Sequence, residues 1–406
     1  MSKYFLKNEY CKIVKGFNGS LLYNLKDGRV FSFDIQHSDI LKDISENTSI
    51  NELKTKHIKI DIDSFLVKLK NNNIGYFSDA SYYIEDYRQG KLITLESENP
   101  PIMSTCFIEL PIGCDKYCEH CNKNKYQVCE TCGLPNITDE EIDFNFYNSL
   151  FNQLAKLNFK KYIVHGGNPF LLNEKLIEFL ELFRKNVGYN SNIFIKSNPS
   201  LFNKFIPHLI KMNIHPILVF DASKSNINNL FLELYKLKDN ILDLNNNLKI
   251  NVNLVVDNFS KKYIPQLIET FKTHGINNIS ISFIIEENIY PKELLNLKNQ
   301  YVPDNGFEEF ITYNHCLNGN IAITCDGDII PCPGLKDEVV SNLKLKTLLS
   351  SFEGNKNIGE YWKFTADNIS SCRQCKYKYS CADCRAVEKR LSNGDICGKT
   401  LCELIK

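Results

Sequence analysis

Within GCDKYCEHC, residues 113 to 121, Cys114, Cys118 and Cys121 stand with three and then two residues between them, among polar Asp115, Lys116 and Glu119. Thiolates are soft ligands, and three on one short polar loop suit a metal better than a hydrophobic core. Three thiolates hold three corners of a [4Fe-4S] cluster and leave its fourth iron without a protein ligand, open to a reactant. The remaining cysteines are grouped as well. Of 16, only Cys11 and Cys106 stand alone, and these two fit burial as small hydrophobes. One group is Cys114, Cys118, Cys121, Cys129 and Cys132; the other is Cys316, Cys325, Cys332, Cys372, Cys375, Cys381, Cys384, Cys397 and Cys402. Eight disulfides do not suit a reducing compartment, so metal is the better use for most of them.

That compartment follows from what the chain lacks. The opening MSKYFLKNEYCKIV has no apolar run of signal-peptide length and no stretch of 18 apolar residues appears later, which points to the cytoplasm. Lys plus Arg equals Asp plus Glu at 48 each, so no overall field attracts nucleic acid or an anionic membrane, and neither is expected as a partner. At 406 residues with 43% hydrophobic side chains, two or three soluble domains are expected.

The elements that must position the thiols come next. Apolar strand patterns at 106–112, 161–167, 192–198, 216–222, 249–257 and 278–285 alternate with helical ones. The helical stretches include TDEEIDFNFYNSLFNQLAKL, with Thr138 and Glu141 as a capping box, and NEKLIEFLELFRK. Six βα units predict an α/β fold, a partial (βα)6 TIM-like barrel over residues 104–300. The three-thiol loop follows the first strand, at the carboxyl end where sites in such folds lie.

Residues 1–92 read as a separate small module, with alternating segments, a hairpin turn at Lys26-Asp27-Gly28, a helix capped by Ser38 and a second helix ending in NNN. Three strands and three small helices suit a winged-helix-like domain. LESENPPIMS reads as the linker to the barrel, and residues 310–406 form a cysteine-rich tail.

With CFIELPIGCDKYCEHC on the first strand and loop of such a barrel, the chain resembles the radical S-adenosylmethionine (SAM) superfamily. HGGNPFLL, after the second strand, resembles that family's GGEP segment, whose backbone receives the amino group of SAM; Gly166 and Gly167 match, and Asn168 stands where Glu is usual. The strand ends KSNP and FDAS make Ser197, Asn198 and Asp221 candidates for polar contacts to SAM. His120 replaces the aromatic residue often found before the last cysteine, and is expected to pack near the adenine. The resemblance implies reductive cleavage of SAM to a 5′-deoxyadenosyl radical that abstracts hydrogen from substrate, with an external one-electron donor such as flavodoxin or ferredoxin.

The tail, HCLNGNIAITCDGDIIPC followed by CRQCKYKYSCADC and DICG, resembles the SPASM domain of radical SAM maturases, which carries two auxiliary [4Fe-4S] clusters. The resemblance implies Cys316, Cys332 and Cys384 on the first auxiliary cluster, with Cys325 as a candidate fourth ligand. It implies Cys372, Cys375, Cys381 and Cys397 on the second, with Cys402 competing for the last place. Two departures stand out: Cys381 and Cys384 are separated by two residues where three is common, and no cysteine lies just before Cys316. CxxC pairs at these separations also suit zinc ribbons. Cys129 and Cys132 remain open between zinc, another cluster and free thiols.

The amino-terminal module resembles the domain with which maturases of ribosomally made peptides capture a leader as an added β-strand. The chain as a whole therefore resembles radical SAM/SPASM peptide maturases, its tail that of grasp-with-SPASM systems, and a precursor peptide is the implied partner. A crosslink such as a thioether or carbon-carbon bond is the expected product. The alternatives are a radical SAM enzyme on a protein or small molecule, such as a sulfatase-maturase-like dehydrogenase, and a non-catalytic, zinc-stabilised peptide-binding module. CGKTL is no P-loop, since three rather than four residues separate Gly394 from Gly398.

Overall fold

The structure, a computed structural model, describes residues 3–87, 102–115, 141–223, 230, 232–234, 237, 248–284, 306–353, 357–381 and 384–402. Its first strand, β1 (Tyr4–Lys7), is followed by an antiparallel meander of β2 (Cys11–Gly16), β3 (Gly19–Asn24) and β4 (Arg29–Phe33). Helices α1 (Ile35–Ser45), α2 (Ile50–Lys56) and α3 (Ile62–Asn71) lead to β5 (Gly75–Ser78), which pairs back antiparallel on β1. Among its described residues the module has five strands rather than three: KYFLKNEYCKIVKG breaks at Asn8 into two and the hairpin about Lys26-Asp27-Gly28 supplies two, while GYFS, strand-like in its pattern, pairs with β1. The hairpin turn lies where Lys26-Asp27-Gly28 predicts it: Gly28 has φ +69°, and its N–H donates to the Asn24 carbonyl at 2.8 Å.

The cap of α1 differs from expectation. Asp34 rather than Ser38 caps it, accepting the His37 N–H at 2.9 Å. Ser38 is buried in the first turn, with its hydroxyl 2.8 Å from that of Ser20. Asp34 directly precedes apolar Ile35 and brings a charge that the helix dipole favours, so the helix starts four residues earlier.

Beyond the module, six strands pair in chain order, each parallel to the next: β6 (Ile102–Glu109), β7 (Asn158–His165), β8 (Ile193–Ser197), β9 (Ile214–Asp221), β10 (Asn251–Val256) and β11 (Asn278–Phe283). The helices between them include α4 (Phe144–Leu154), α5 (Glu174–Val187), α6 (Phe202–Met212) and α7 (Ile264–Thr273). Helix α4 begins at Phe144 behind the cap Asp143, so Glu141 precedes the helix and takes no part in capping it; Thr138 lies outside the described residues. The tail extends the same sheet. Strand β12 (Asn320–Ile323) lies parallel to β6, and β13 (Asp328–Ile330) and β14 (Ser341–Asn342) continue antiparallel, giving a mixed, mostly parallel sheet of nine strands. Short helices α8 (Gly306–Thr312), α9 (Ile358–Trp362) and α10 (Arg385–Leu391) complete the tail.

Strand side chains alternate between two faces, and here both are buried. Toward the helices, Ile108, Val164 and Ile195 meet Leu150, Phe151, Phe179 and Phe183 in the main core, where each large apolar side chain contributes about 2–3 kcal/mol. The opposite face carries Phe107, Ile163, Phe194 and Ile217, followed toward the strand ends by buried Glu109 and His165. Cys11 and Cys106 are both fully buried, one in the amino-terminal core and one in the main core, as lone cysteines should be. Among the described residues no helix is long and apolar enough to cross a membrane.

Candidate active site

The carboxyl ends of β6, β7 and β8 carry the candidate site. From β6 the chain runs through Leu110 to Cys114 and Asp115 and lies against the Gly166-Gly167-Asn168 turn after β7. The Leu110 N–H donates to the His165 carbonyl at 2.8 Å, and the Asn168 N–H to the Gly113 carbonyl at 2.9 Å. Both glycines have positive φ, +126° and +46°. A Cβ on Gly167 would lie 2.1 Å from the Gly113 carbonyl oxygen, and one on Gly166 would lie 2.5 Å from that of Leu110. Only glycine permits both the backbone conformation and the contact.

Around this turn the polar side chains converge. Asn168, fully buried, accepts the Ser197 hydroxyl at 2.5 Å and donates to Asp115 Oδ1 at 2.8 Å. Asn198 donates to the same oxygen at 2.9 Å and lies 3.3 Å from Cys114 Sγ. Ser200 donates to Asp115 Oδ2 at 2.7 Å. Burial alone would raise the Asp115 pKa, but the bonds from Ser200, Asn198 and Asn168 outweigh it and hold the carboxyl below its usual range. Gly166, Gly167, Asn168, Ser197 and Asn198 are thus brought together with Cys114. Asp221, at the end of β9, accepts instead from the nearby Ser223 N–H at 2.9 Å. Cys118, Cys121 and His120 lie outside the described residues, as do Cys129 and Cys132.

Two residues with a place in this site escaped sequence reasoning. Asp115 was one polar residue among several in the thiol loop, and Ser200 followed the KSNP strand end. Their only signal is adjacency to Cys114 and to Asn198. At the end of β6, buried Glu109 pairs with half-buried Lys336 from the tail, whose ammonium donates to it at 2.6 Å, and the Tyr147 hydroxyl donates to the Glu109 carbonyl at 2.7 Å. Burial raises the Glu109 carboxyl, with Lys336 opposing, and burial also drives the His165 pKa well below its usual value, aided by Lys196 and Lys336.

In the tail, Cys332 and Cys384 share one apolar cluster with Leu317, the neighbour of Cys316. Cys325 lies elsewhere, near Glu109 and Tyr147 at the end of β6. Burial raises the Cys375 thiol, and the neighbouring Cys402 raises it further. Cys397 is exposed, while Cys372 and Cys381 are half-buried. Among the described residues, no three Cys, His, Asp or Glu side chains stand at the spacing of one metal ion's ligands.

No protein-family model matches the chain, and no curated protein does. Solved structures do match. Streptococcus suis SuiB bound to S-adenosylmethionine aligns over 95% of this chain and 96% of its own, with a TM-score of 0.51 at 14% identity. Hexahistidine-tagged anSMEcpe with bound AdoMet aligns over 70% of this chain and 87% of its own, at TM-score 0.51 and 16% identity. Native anSMEcpe with bound AdoMet and the Kp18Cys peptide gives the same TM-score at 17% identity, over 70% and 90%. At such identities the likeness is one of fold. The chain has the mixed α/β architecture, with a central, mostly parallel sheet, that these proteins share, in agreement with the radical SAM/SPASM resemblance of its motifs.

Proposed function

We propose that this protein is a radical SAM/SPASM maturase of a ribosomally made precursor peptide. One observation carries the reading: Cys114 meets the Gly166-Gly167-Asn168 turn and Asn198 at the ends of three adjacent parallel strands. The residues fit the cofactors. Cys114, Cys118 and Cys121 would hold a [4Fe-4S] cluster with one open iron, and the glycine turn leaves backbone close enough to receive the amino acid part of SAM. When bound, the cluster supplies the electron that cleaves SAM reductively. The chain's own part is to orient SAM through Asn168, Ser197 and Asn198, with Asp221 and His120 assigned to its far side, and to exclude water beneath it with the packed strand ends.

In this reading residues 1–92 are the winged-helix-like leader-binding domain, 104–300 the barrel and 310–406 the SPASM domain. Cys316, Cys332 and Cys384 would hold one auxiliary cluster, and Cys372, Cys375, Cys381 and Cys397 the other; Cys325, the candidate fourth ligand of the first, stands instead near Glu109 and Tyr147. The shared apolar cluster of Cys332 and Cys384 supports the first set. The fold likeness to SuiB bound to S-adenosylmethionine and to anSMEcpe bound to AdoMet and the Kp18Cys peptide supports SAM as the cofactor and a peptide as the substrate. A flavodoxin or ferredoxin would deliver the electron, and a crosslink is the expected product.

The test is iron and sulfide analysis after reconstitution without oxygen. About 12 irons per chain, as three [4Fe-4S] clusters require, and SAM cleavage under a strong reductant are expected. The Cys114→Ala, Cys118→Ala, Cys121→Ala triple variant should retain about 8 irons and lose cleavage. Zinc in place of iron, or cleavage that survives the triple substitution, sinks the reading.

A further inference from the structure

Strand β3, GSLLYN, is buried at every one of its positions from Gly19 to Asn24. The middle strand of a small antiparallel module ordinarily packs one face on helices and turns the other to water, which makes apolar and polar residues alternate. Here Leu21 and Leu22 follow one another, and each meets a different core. Leu22 joins Cys11, Ile40 and Leu66 in the module's own core. Leu21 and Tyr23 pack instead with Val14 against Phe307 and Tyr379 of the tail. The ring of Phe307, on α8, lies 4.9 Å from that of Tyr23 and 5.8 Å from that of Tyr379. The tail thus supplies a second layer over the face that a free-standing module would leave to solvent.

That layer is the segment with three of the thiols assigned to the second auxiliary cluster, Cys372, Cys375 and Cys381. Between 371 and 381 the chain forms turns and no helix or strand of its own, so its shape is set by what it touches. On one side Asp367 holds Lys378 at 2.6 Å and Tyr379 at 2.9 Å. On the other side stands the meander. The Phe17 N–H donates to the Gln374 carbonyl at 3.0 Å, and Gly16 lets the two backbones meet, since a Cβ there would lie 2.3 Å from the Lys376 nitrogen. The Tyr23 hydroxyl donates to Ser380 Oγ at 3.1 Å, next to Cys381. Tyr23 is only 1% exposed. Burial raises its pKa, the bond to Ser380 opposes, and Cys375 and Cys381 raise it further, so the hydroxyl stands near two of the three thiols.

We propose that the amino-terminal module is a wall of the second auxiliary-cluster site, with Tyr23 as the positioning residue that holds Ser380 and, through it, Cys381. This rests on the auxiliary-cluster assignment above. The dependence runs both ways, because a wall that favours the loaded segment is stabilised by loading in return. A module that served only to capture a leader would be indifferent to metal in the tail.

The test follows metal and exchange rather than turnover, on full-length chains reconstituted without oxygen. The Cys372→Ala, Cys375→Ala double variant lacks the second auxiliary cluster alone. Its β3 amides should exchange at least about tenfold faster than those of wild type, while those of β10, far from the contact, keep their rate. Tyr23→Phe retains the ring and removes the hydroxyl. Under a chelator it should lose about 4 of its irons roughly threefold to tenfold faster than wild type, with the remaining clusters released at the wild-type rate. A general loosening of the fold would instead speed the release of all of them. Ser380→Ala should reproduce the effect, and the pair together should be no worse than either alone, as for two ends of one bond. Exchange in β3 that ignores the loss of the second cluster overturns the proposal, as does iron release from Y23F that is unchanged or spread over every cluster. A wild-type chain that takes up no iron in its tail refutes the auxiliary-cluster assignment itself, before any variant is compared.

Discussion

The Lys376 ammonium donates to the carbonyl oxygen of Phe33 at 3.1 Å across 343 positions of chain. It also donates to Ser32 Oγ at 3.0 Å and the Asn18 carbonyl at 3.3 Å, so one side chain from the loop between Cys375 and Cys381 closes off the turn and edge of the β2–β4 meander. The Phe17 N–H returns the contact, donating to the Gln374 carbonyl at 3.0 Å. The module proposed to read a leader thus rests directly on the loop proposed to hold a cluster.

Lys376→Met should therefore loosen both partners at once. It leaves two half-buried carbonyls without their charged donor, a loss of about 1.5–3 kcal/mol. Hydrogen exchange is expected to quicken in β4 and in residues 372–381 together. Gly16→Ala should do the same by another route, because its Cβ would lie 2.3 Å from the Lys376 backbone nitrogen. Quickening confined to one side would show that the contact does not couple them.

Gly167→Ala tests the turn. The φ of +46° costs an L-residue about 1–2 kcal/mol, and the Gly113 carbonyl at 2.1 Å from the new Cβ must move as well. The Asn168 N–H bond to that same carbonyl should break, displacing Cys114 and Asp115 together. A midpoint of thermal unfolding lowered by several degrees, with loss of S-adenosylhomocysteine binding, is the expected outcome. Full binding in this variant would exclude the turn from the site.

What was legible in the sequence and what was not divide along the range of the interactions. The strand patterns survived because alternation and apolar runs are local: KYIVHGG, read as 161–167, is β7 at Asn158–His165. Gly166 and Gly167 were legible through the resemblance of HGGNP to the GGEP segment, and the positive φ of both gives the physical reason that glycine stands there. The choice of Asp34 over Ser38 as a cap was not, since both residue types cap well and the register of burial on β3 decides between them. Asp115 was hidden for a stronger reason. Its partners lie 53, 83 and 85 residues away, and only the parallel order of β6, β7 and β8 brings them to one oxygen pair. No local pattern encodes that convergence, just as none links Lys376 to Phe33.

The last prediction concerns pH and the tail. Lys389, on the helix that follows Cys384, pairs with Glu338 and, at 2.5 Å, with Asp337, both on the loop that follows Cys332. Burial alone would raise the two carboxyls, but the bonds from Lys389, and for Glu338 also from Tyr361 at 2.6 Å, hold both below their usual range. A depressed folded-state pKa gives stability that is present above the unfolded values of 3.8 and 4.5 and is lost as the pH falls through the lower folded values. Asp337 is mostly exposed, so water screens its share and Glu338 carries more of the effect. Lys389→Met should thus cost about 1–3 kcal/mol at pH 7, measured by denaturant unfolding, and the deficit should shrink steadily as the pH drops below about 4. Because the clamp ties the segments after Cys332 and Cys384, which are assigned to one cluster, the same variant should lose about 4 irons sooner than wild type under a chelator. A deficit that stays constant down to acid pH would assign the loss to packing of the lysine stem rather than to its charge.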